Sequence, residues 1–445
     1  MTFIARIESS QRLDNDGNNN NFRNENWFTS YQSNFFRISE MFDTFIGQRQ
    51  FSMKTHRAIR FLYSCYNIIQ TTTALVFFLL EFVAFRKALG DTSTLVSQIG
   101  LMFTHLVGIC KLWILIYRRE KIDGIKKKLQ DEQYQYEALD DFQPGERMRR
   151  EKFVALFIAT IIFILYTFVG VSAHISAAVM VKKNSIGGTF TGNSSCESFT
   201  PYYFYYPFDV STPNGCYYML AYMHLCLDVF AWYIASLDMV FVTLLLLLSA
   251  QLNIVGEALT TIRKRCLHRL QMKQDFVCLY DKNIPALEQE LYKEITHCTK
   301  HLHLLIDVRM DIEDIFSFIT LVQTVASLLI FASCLFVAAQ EPLNSPNFFS
   351  QLEYFCAVLS QFSLYCWFGN QMTLAGEAIP SAMYNIDWFS ASPRFKQSML
   401  MSMTRMQRPL FVSIGKFTPL ALTTLLAVVK GSFSYFTVFQ SAGEE

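Results

Sequence analysis

Apolar residues gather into seven long runs, at 62–84, 93–117, 153–181, 217–248, 315–338, 349–368 and 411–439, with polar loops between them. A run of about 20 apolar residues matches a hydrocarbon core ~30 Å thick. Only closed backbone hydrogen bonding survives there, so each run is predicted to be a transmembrane helix. The third, fourth and seventh runs exceed the bilayer and must tilt, break or project into water. A second pattern lies outside the runs. The stretch 284–314 is too polar to span, yet Leu287, Leu291, Ile295, Cys298, Leu302 and Leu305 recur at steps of four and three. That is a single helical stripe. It needs an apolar partner, so a bundle outside the bilayer is expected, with extensions of the later helices over about 250–314 and 369–410.

The Lys and Arg content of the loops alternates, which sets the orientation by the positive-inside rule. Arg49, Lys54, Arg57 and Arg60 precede the first run, whereas only Arg86 and Lys87 follow it. The next loop is strongly basic, from Arg118 and Arg119 through Lys126, Lys127 and Lys128 to Lys152. The loop 182–216 has only Lys182 and Lys183, and Arg263, Lys264, Arg265, Arg269 and Lys273 follow the fourth run. No Lys or Arg falls in 340–347, while Arg394, Lys396, Arg405 and Arg408 precede the last run. The expected fold is therefore an all-α polytopic membrane protein with its N-terminus in the cytoplasm and its C-terminus outside. A G-protein-coupled receptor has the reverse orientation, and the charge bias opposes it.

Composition agrees. The 445 residues are 52% hydrophobic and 17% charged, with 42 Phe and 21 Tyr, where a soluble chain carries more charge. A net charge of +1 points to no nucleic-acid partner. The chain divides into a cytoplasmic segment 1–61, a membrane domain 62–439 and a short outer tail 440–445. Residues 1–34 are polar and Asn-rich without the apolar core of a signal peptide, so disorder is expected. In the outer loop, Asn193-Ser194-Ser195 is a glycosylation acceptor. Cys196 and Cys216 share that loop and are expected to pair, two free thiols being the alternative. An aromatic cluster over 201–208 reads either as a lid or as a headgroup-level belt.

The last sixty residues carry a resemblance. Tyr384-Asn385-Ile386-Asp387-Trp388-Phe389, Ser392-Pro393-Arg394-Phe395-Lys396 and Arg405-Met406-Gln407-Arg408-Pro409-Leu410 resemble the segment before the last helix of insect odorant receptors. The stretch from Gly415-Lys416-Phe417-Thr418-Pro419 to Lys430-Gly431-Ser432-Phe433-Ser434-Tyr435 is similar to that family's final helix. The chain looks like a ligand-tuning subunit. It lacks the longer second cytoplasmic loop of the shared co-receptor and ends Phe439-Gln440-Ser441-Ala442-Gly443-Glu444-Glu445. The gustatory-receptor ending matches less well, because Gln440 comes one residue early.

The resemblance implies an odorant-gated, non-selective cation channel. Four subunits surround a pore lined by the last helix, and tuning subunits act in heteromers with the co-receptor at the plasma membrane of olfactory sensory neurons. The ligand would be a small volatile organic molecule. Matching the family's terminus places the gate at Val438, followed by Ser441 and Ala442. Read as residues alone, a Lys inside an apolar run is a functional candidate. Lys430 beside Gly431 reads as a helix break, with a snorkelling Lys as the alternative. Beyond it, Ser434, Val438, Ser441 and Ala442 share one face, and Tyr435, Phe436 and Phe439 the other. A wall of small side chains suits a pore, and a ring of Val438 could close it by dewetting.

In that family the ligand cavity lies in the outer half, among the second, third, fourth and sixth spans. Depth then selects Ser97, Leu101, Tyr166, Gly170, Ala173, His174, Tyr222, His224, Phe355 and Leu359. Ordinary helix packing is the competing role for each aromatic. His224 and Asp228, one turn apart, are expected to pair, and Asp238 needs a partner that spacing does not identify. No nucleophile elbow, P-loop, zinc motif or nucleotide fingerprint occurs, so neither an enzyme, a cofactor nor a metal site is expected. A secondary transporter remains a competing reading, though it usually shows paired helix breaks.

Overall fold

The structure, a computed structural model, describes residues 36–48, 56–88, 92–186, 189–190, 195–196, 200, 205–206, 209–274 and 276–444. The expectation for 1–34, the Asn193 acceptor and most of the aromatic cluster at 201–208 lie outside the described residues.

A short helix α1 (Arg37–Phe45) precedes α2 (Arg57–Ala88) and α3 (Thr92–Tyr117). The basic loop then holds α4 (Arg119–Leu129) and leads into α5 (Pro144–Lys183). A minimal hairpin, β1 (Ser185–Ile186) with β2 (Thr189–Phe190), opens the following loop. Next come α6 (Pro213–Thr260), α7 (Ile262–Arg269), α8 (Pro285–Gln340), α9 (Pro346–Tyr384) and α10 (Pro393–Met406). A second hairpin, β3 (Ser413–Ile414) with β4 (Thr418–Pro419), leads into the final helix α11 (Leu422–Glu444). Five helices start on proline, whose missing N–H costs nothing in the first turn. The preceding residue caps three of them: Thr212 Oγ1 accepts from Gly215 N, Ser345 Oγ from Phe348 N, and Ser392 Oγ from Phe395 N.

Six helices among the described residues are long and apolar enough to cross a bilayer. The seventh, α9, is diluted by Gln351, Glu353 and Gln361, but it packs along α5, α6 and α8 as a member of the same bundle. The central helix is α6, which every residue from Tyr233 to Leu252 enters buried. A helix covered on all sides is a core helix; here α3, α5, α8 and α9 supply the cover. The end carrying the basic loops is termed inner, as the positive-inside rule assigns it.

Helix length decides how the long runs are accommodated. At 1.5 Å per residue the 56 residues of α8 reach about 84 Å and the 48 of α6 about 72 Å, so both project far past a ~30 Å core. Their projections form the expected bundle at the inner end. All six stripe residues, Leu287 to Leu305, are buried against α6, α7 and α10. Ion pairs tie its rim: Arg265 to Glu294 at 2.8 Å, Arg269 to Glu290 at 2.8 Å, and Arg263 to Asp281 at 3.0 Å. Burial alone would raise the Glu294 carboxyl, but Arg265 and Arg269 outweigh it and hold the group below its usual range. His301 is buried beside Tyr136, whose hydroxyl lies 3.0 Å from Nδ1; burial pushes the ring down to about 3, and His297 adds to the shift.

The seventh run departs from expectation. Residues 411–421 are not helical, because Gly415 and Lys416 take φ of 58° and 66° and Pro419 follows. A Cβ on Gly415 would lie 2.8 Å from Leu321 Cδ2, so only glycine fits that turn. Gly415 N bonds Ser317 O at 2.9 Å, pinning the hairpin to α8. Nearby, a Cβ on Gly369 would meet the Leu420 carbonyl oxygen at 2.6 Å, so α9 also yields space to this segment. The break expected at Lys430 and Gly431 is corrected too. α11 runs through both without interruption. Lys430 is exposed, and Gly431 lets the helix approach Leu328, whose Cδ1 would be 3.2 Å from a Cβ. With 23 residues, about 35 Å, α11 spans a bilayer once. In the outer loop, Cys196 and Cys216 are joined as a disulfide that fixes the loop to the first turn of α6.

Candidate functional site

Two adjoining cavities open between α3, α5, α6, α8 and α9 in the outer half, of about 100 and 80 Å³. They share a wall of Val169, Leu227 and Tyr354. Together they are on the order of the ~150 Å³ space that holds a benzene in a protein interior. The outer chamber is lined by Ser97 and Leu101 of α3, Ser172 and Ala173 of α5, Ser333 of α8, and Glu353 of α9 among others. The inner chamber is bounded by Tyr166 and Gly170 of α5, Phe230 and Ile234 of α6, and Ala357, Val358 and Gln361 of α9.

Five of the ten ligand candidates thus meet at the cavities: Ser97, Leu101, Tyr166, Gly170 and Ala173. The other five, His174, Tyr222, His224, Phe355 and Leu359, are in neither wall. Tyr222 stands edge-on to Phe77 of α2 at 5.3 Å, and Phe355 packs on Phe331 of α8 at 5.0 Å. His174 hydrogen-bonds the Gly170 carbonyl at 2.8 Å, and its ring centroid is 4.6 Å from that of His224. His224 Nε2 is 3.3 Å from Asp228 Oδ2, the local pair that spacing suggested. Leu359 is half-buried. The physical reason is azimuth. Depth fixes height on a helix, while each residue turns by about 100°, and the lining of α6 comes from Leu227, Phe230 and Ile234 instead. Among the described residues no group of three or more His, Cys, Asp or Glu is placed to hold a metal ion.

Below the inner chamber lies a buried polar network. Lys111 Nζ is 2.5 Å from Asp238 Oδ1, with both side chains at most 1% exposed. Tyr365 also donates to Oδ1, while Tyr166 and Gln361 donate to Oδ2 at 2.9 and 2.6 Å. A carboxylate has about four lone-pair sites, and four donors answer them. Gln361 Oε1 in turn accepts from Gln323 of α8 at 3.2 Å. Tyr166 and Gln361 belong both to this network and to the cavity wall. A second buried pair, His105 Nδ1 with Glu81 at 2.7 Å, lies beside Phe230. Sequence reading found Asp238 but missed Lys111, Glu81 and Glu353. The signal was present, since each is a charged residue within or beside an apolar run.

Three of the four residues assigned to a pore lie on the open side of α11. Ser434, Val438 and Ser441 are exposed, Val438 to 58%. Ala442 is in the same helix. Phe436 is half-covered, and Phe439 meets Phe336 of α8 at 6.3 Å. Tyr435, expected on the packed face, is exposed as well.

Comparison with known proteins follows the same lines. The family described as 7tm Odorant receptor matches residues 91–433, most of the chain. Odorant receptor 2a of Drosophila melanogaster is 26% identical over 159 residues, 35% of this chain and 40% of that one. Odorant receptor 22c of the same fly is 26% identical over 38% of this chain and 43% of its own length. The chain thus matches about two fifths of the length of these relatives. The olfactory receptor OR5 of Machilis hrabei in complex with eugenol superposes with a TM-score of 0.75 at 14% identity, covering 93% of this chain and 99% of that one. A second structure of the same receptor gives 0.73 at 14%, over 92% and 98%. At that identity the likeness is one of fold. The family match over most of the sequence carries the assignment: this chain belongs to the 7tm odorant receptor family.

Proposed function

We propose that this chain is the ligand-tuning subunit of an odorant-gated, non-selective cation channel, working in a heteromer with a co-receptor in the plasma membrane of olfactory neurons. The observation that carries the reading is the pair of cavities in the outer half, lined by helices and mostly apolar, whose inner chamber shares Tyr166 and Gln361 with the network. Small apolar ligands bind in such spaces, oriented by a few polar groups. The eugenol complex of the Machilis receptor lends the ligand class, a small organic molecule.

Gating follows from differential affinity. A ligand that bound closed and open states equally would open nothing. Filling the inner chamber presses on Tyr166 and Gln361. Gln361 reaches α8 through Gln323, and α8 packs along α11. Displacement of α8 and α9 outward then draws the α11 helices of neighbouring subunits apart at Val438. Ser441 and Ala442 beyond it are small, so the tight closure comes from the co-receptor's share of the pore. The test is odorant-evoked current with and without a co-receptor, with Val438→Glu as the pore variant. That substitution is expected to shift cation preference and raise resting conductance. If conductance, ion preference and block stayed as in the unchanged chain, the pore assignment would be wrong.

A further inference from the structure

We infer that the cavity selects a small amphiphile whose single polar head donates a hydrogen bond, the head resting on Glu353 and an aromatic or hydrocarbon body filling the inner chamber. The inference rests on the reading of this cavity as the odorant site.

Glu353 is a half-buried carboxylate in the wall of the outer chamber. Its partner among the described residues is Ser172, whose hydroxyl oxygen lies 2.8 Å from both Oε1 and Oε2. One hydroxyl hydrogen answers one of about four lone-pair sites, so most of the acceptor capacity is free. No Lys, Arg or His among the described residues pairs with it. The serine hydroxyls and the Gln351 amide around it serve as donor or acceptor alike. The carboxylate cannot, and so it sets the demand.

The inner chamber adds the second half of the argument. Val169, Leu227, Phe230, Ile234, Ala357 and Val358 make its wall apolar. Its other polar groups are committed: Tyr166 and Gln361 to Asp238, and Thr104 to Tyr354. The exception is His105 Nε2, which is buried without a partner. Its role as donor or acceptor follows the proton shared with Glu81, so it sets no demand of its own. The demand in this cavity therefore comes from Glu353, which calls for a donor. A ligand with only acceptors, such as an ether, would leave the carboxylate desolvated and unanswered.

The test uses four molecules with one ring in common: benzylamine, benzyl alcohol, anisole and toluene. The full chain is expressed with a co-receptor, and half-maximal concentrations for current are measured. Thermal stabilisation of the purified complex is read in parallel, with the co-receptor alone as control. Benzylamine and benzyl alcohol are expected to act at concentrations about 10- to 100-fold below those of anisole and toluene, the worth of a hydrogen bond to a charged group. Glu353→Gln is expected to erase most of that gap, and more for the amine than for the alcohol. If this variant does not assemble, Ser172→Ala replaces it. That change leaves the carboxylate unshared, so the donors' advantage must persist or grow. Equal stabilisation by toluene and benzylamine overturns the inference whatever the currents do, and so does an unchanged ranking in Glu353→Gln. Stabilisation by the donors without any evoked current supports the ligand class and overturns the channel reading instead.

Discussion

Asp238 is a costly residue to bury, and every one of its acceptor sites is met. A buried carboxylate is tolerated only when its charge is paired and its lone pairs are met. Lys111, Tyr166, Gln361 and Tyr365 do both, from three helices. Removing one side of such a pair strands the other. Lys111→Met or Asp238→Leu alone is therefore expected to cost about 3–5 kcal/mol. The double replacement Lys111→Met with Asp238→Leu should recover part of that loss, but not all, since three donors lose their acceptor. Thermal melts of purified protein and surface yield measure the cycle. A second residue-scale expectation concerns His301. Its folded ring stays neutral down to about 3, whereas an unfolded His takes a proton near its ordinary 6.5. Below 6.5 the unfolded chain binds the extra proton, so stability falls as pH drops from 6.5 toward 3, by at most about 1.4 kcal/mol per pH unit. His301→Gln should flatten the melting temperature against pH over that window. A wild-type profile no steeper than the variant's would remove His301 as the cause.

At the scale of elements, the stretch before α11 separates what was legible from what was not. An apolar run from 411 to 439 reads as one helix by hydropathy, yet Gly415 and Pro419 stood in it as warnings. The hairpin forms because Gly415 takes a left-handed turn against Leu321. Gly415→Ala is expected to cost roughly 1–3 kcal/mol from backbone strain, before any shift of Leu321 is counted. Reduced surface yield with normal transcript levels would report it; an unchanged melt would refute the role. The outer loop offers a second element-scale test. Tying Cys196 to Cys216 closes a loop of 20 residues in sequence separation, worth about 3 kcal/mol in the chain-entropy account. Cys216→Ser should lower stability by that order, and dithiothreitol should then have no further effect. The inner stripe, by contrast, was readable outright. Its periodicity is a property of consecutive residues, and all six members are buried.

The described residues form a helical bundle in which α11, like α2 and α5, is poorly covered. Leu426, Phe433 and Val438 of α11 are all more than half exposed. Apolar side chains in that state meet lipid or sister subunits. The proposed pore needs the carboxyl end outside, so an epitope tag after Glu445 is expected to be displayed to antibody on intact cells. A tag visible only after permeabilisation would reverse the orientation and remove the pore.

Local order along the chain determined the number of long helices, the orientation implied by the loops and the stripe that builds the inner bundle. Each depends on neighbours a few residues apart, where helical geometry is fixed. Which residues face one another across helices was decided only by packing. Lys111 lies 127 positions before Asp238, and nothing in their spacing joins them. Depth could place Tyr222 and His224 at cavity height, yet only the docking of α6 against four neighbours turned Leu227, Phe230 and Ile234 inward in their stead. Azimuth is set by the sum of many contacts, and a sequence pattern states it only when one face is uniformly apolar, which a helix buried on every side is not.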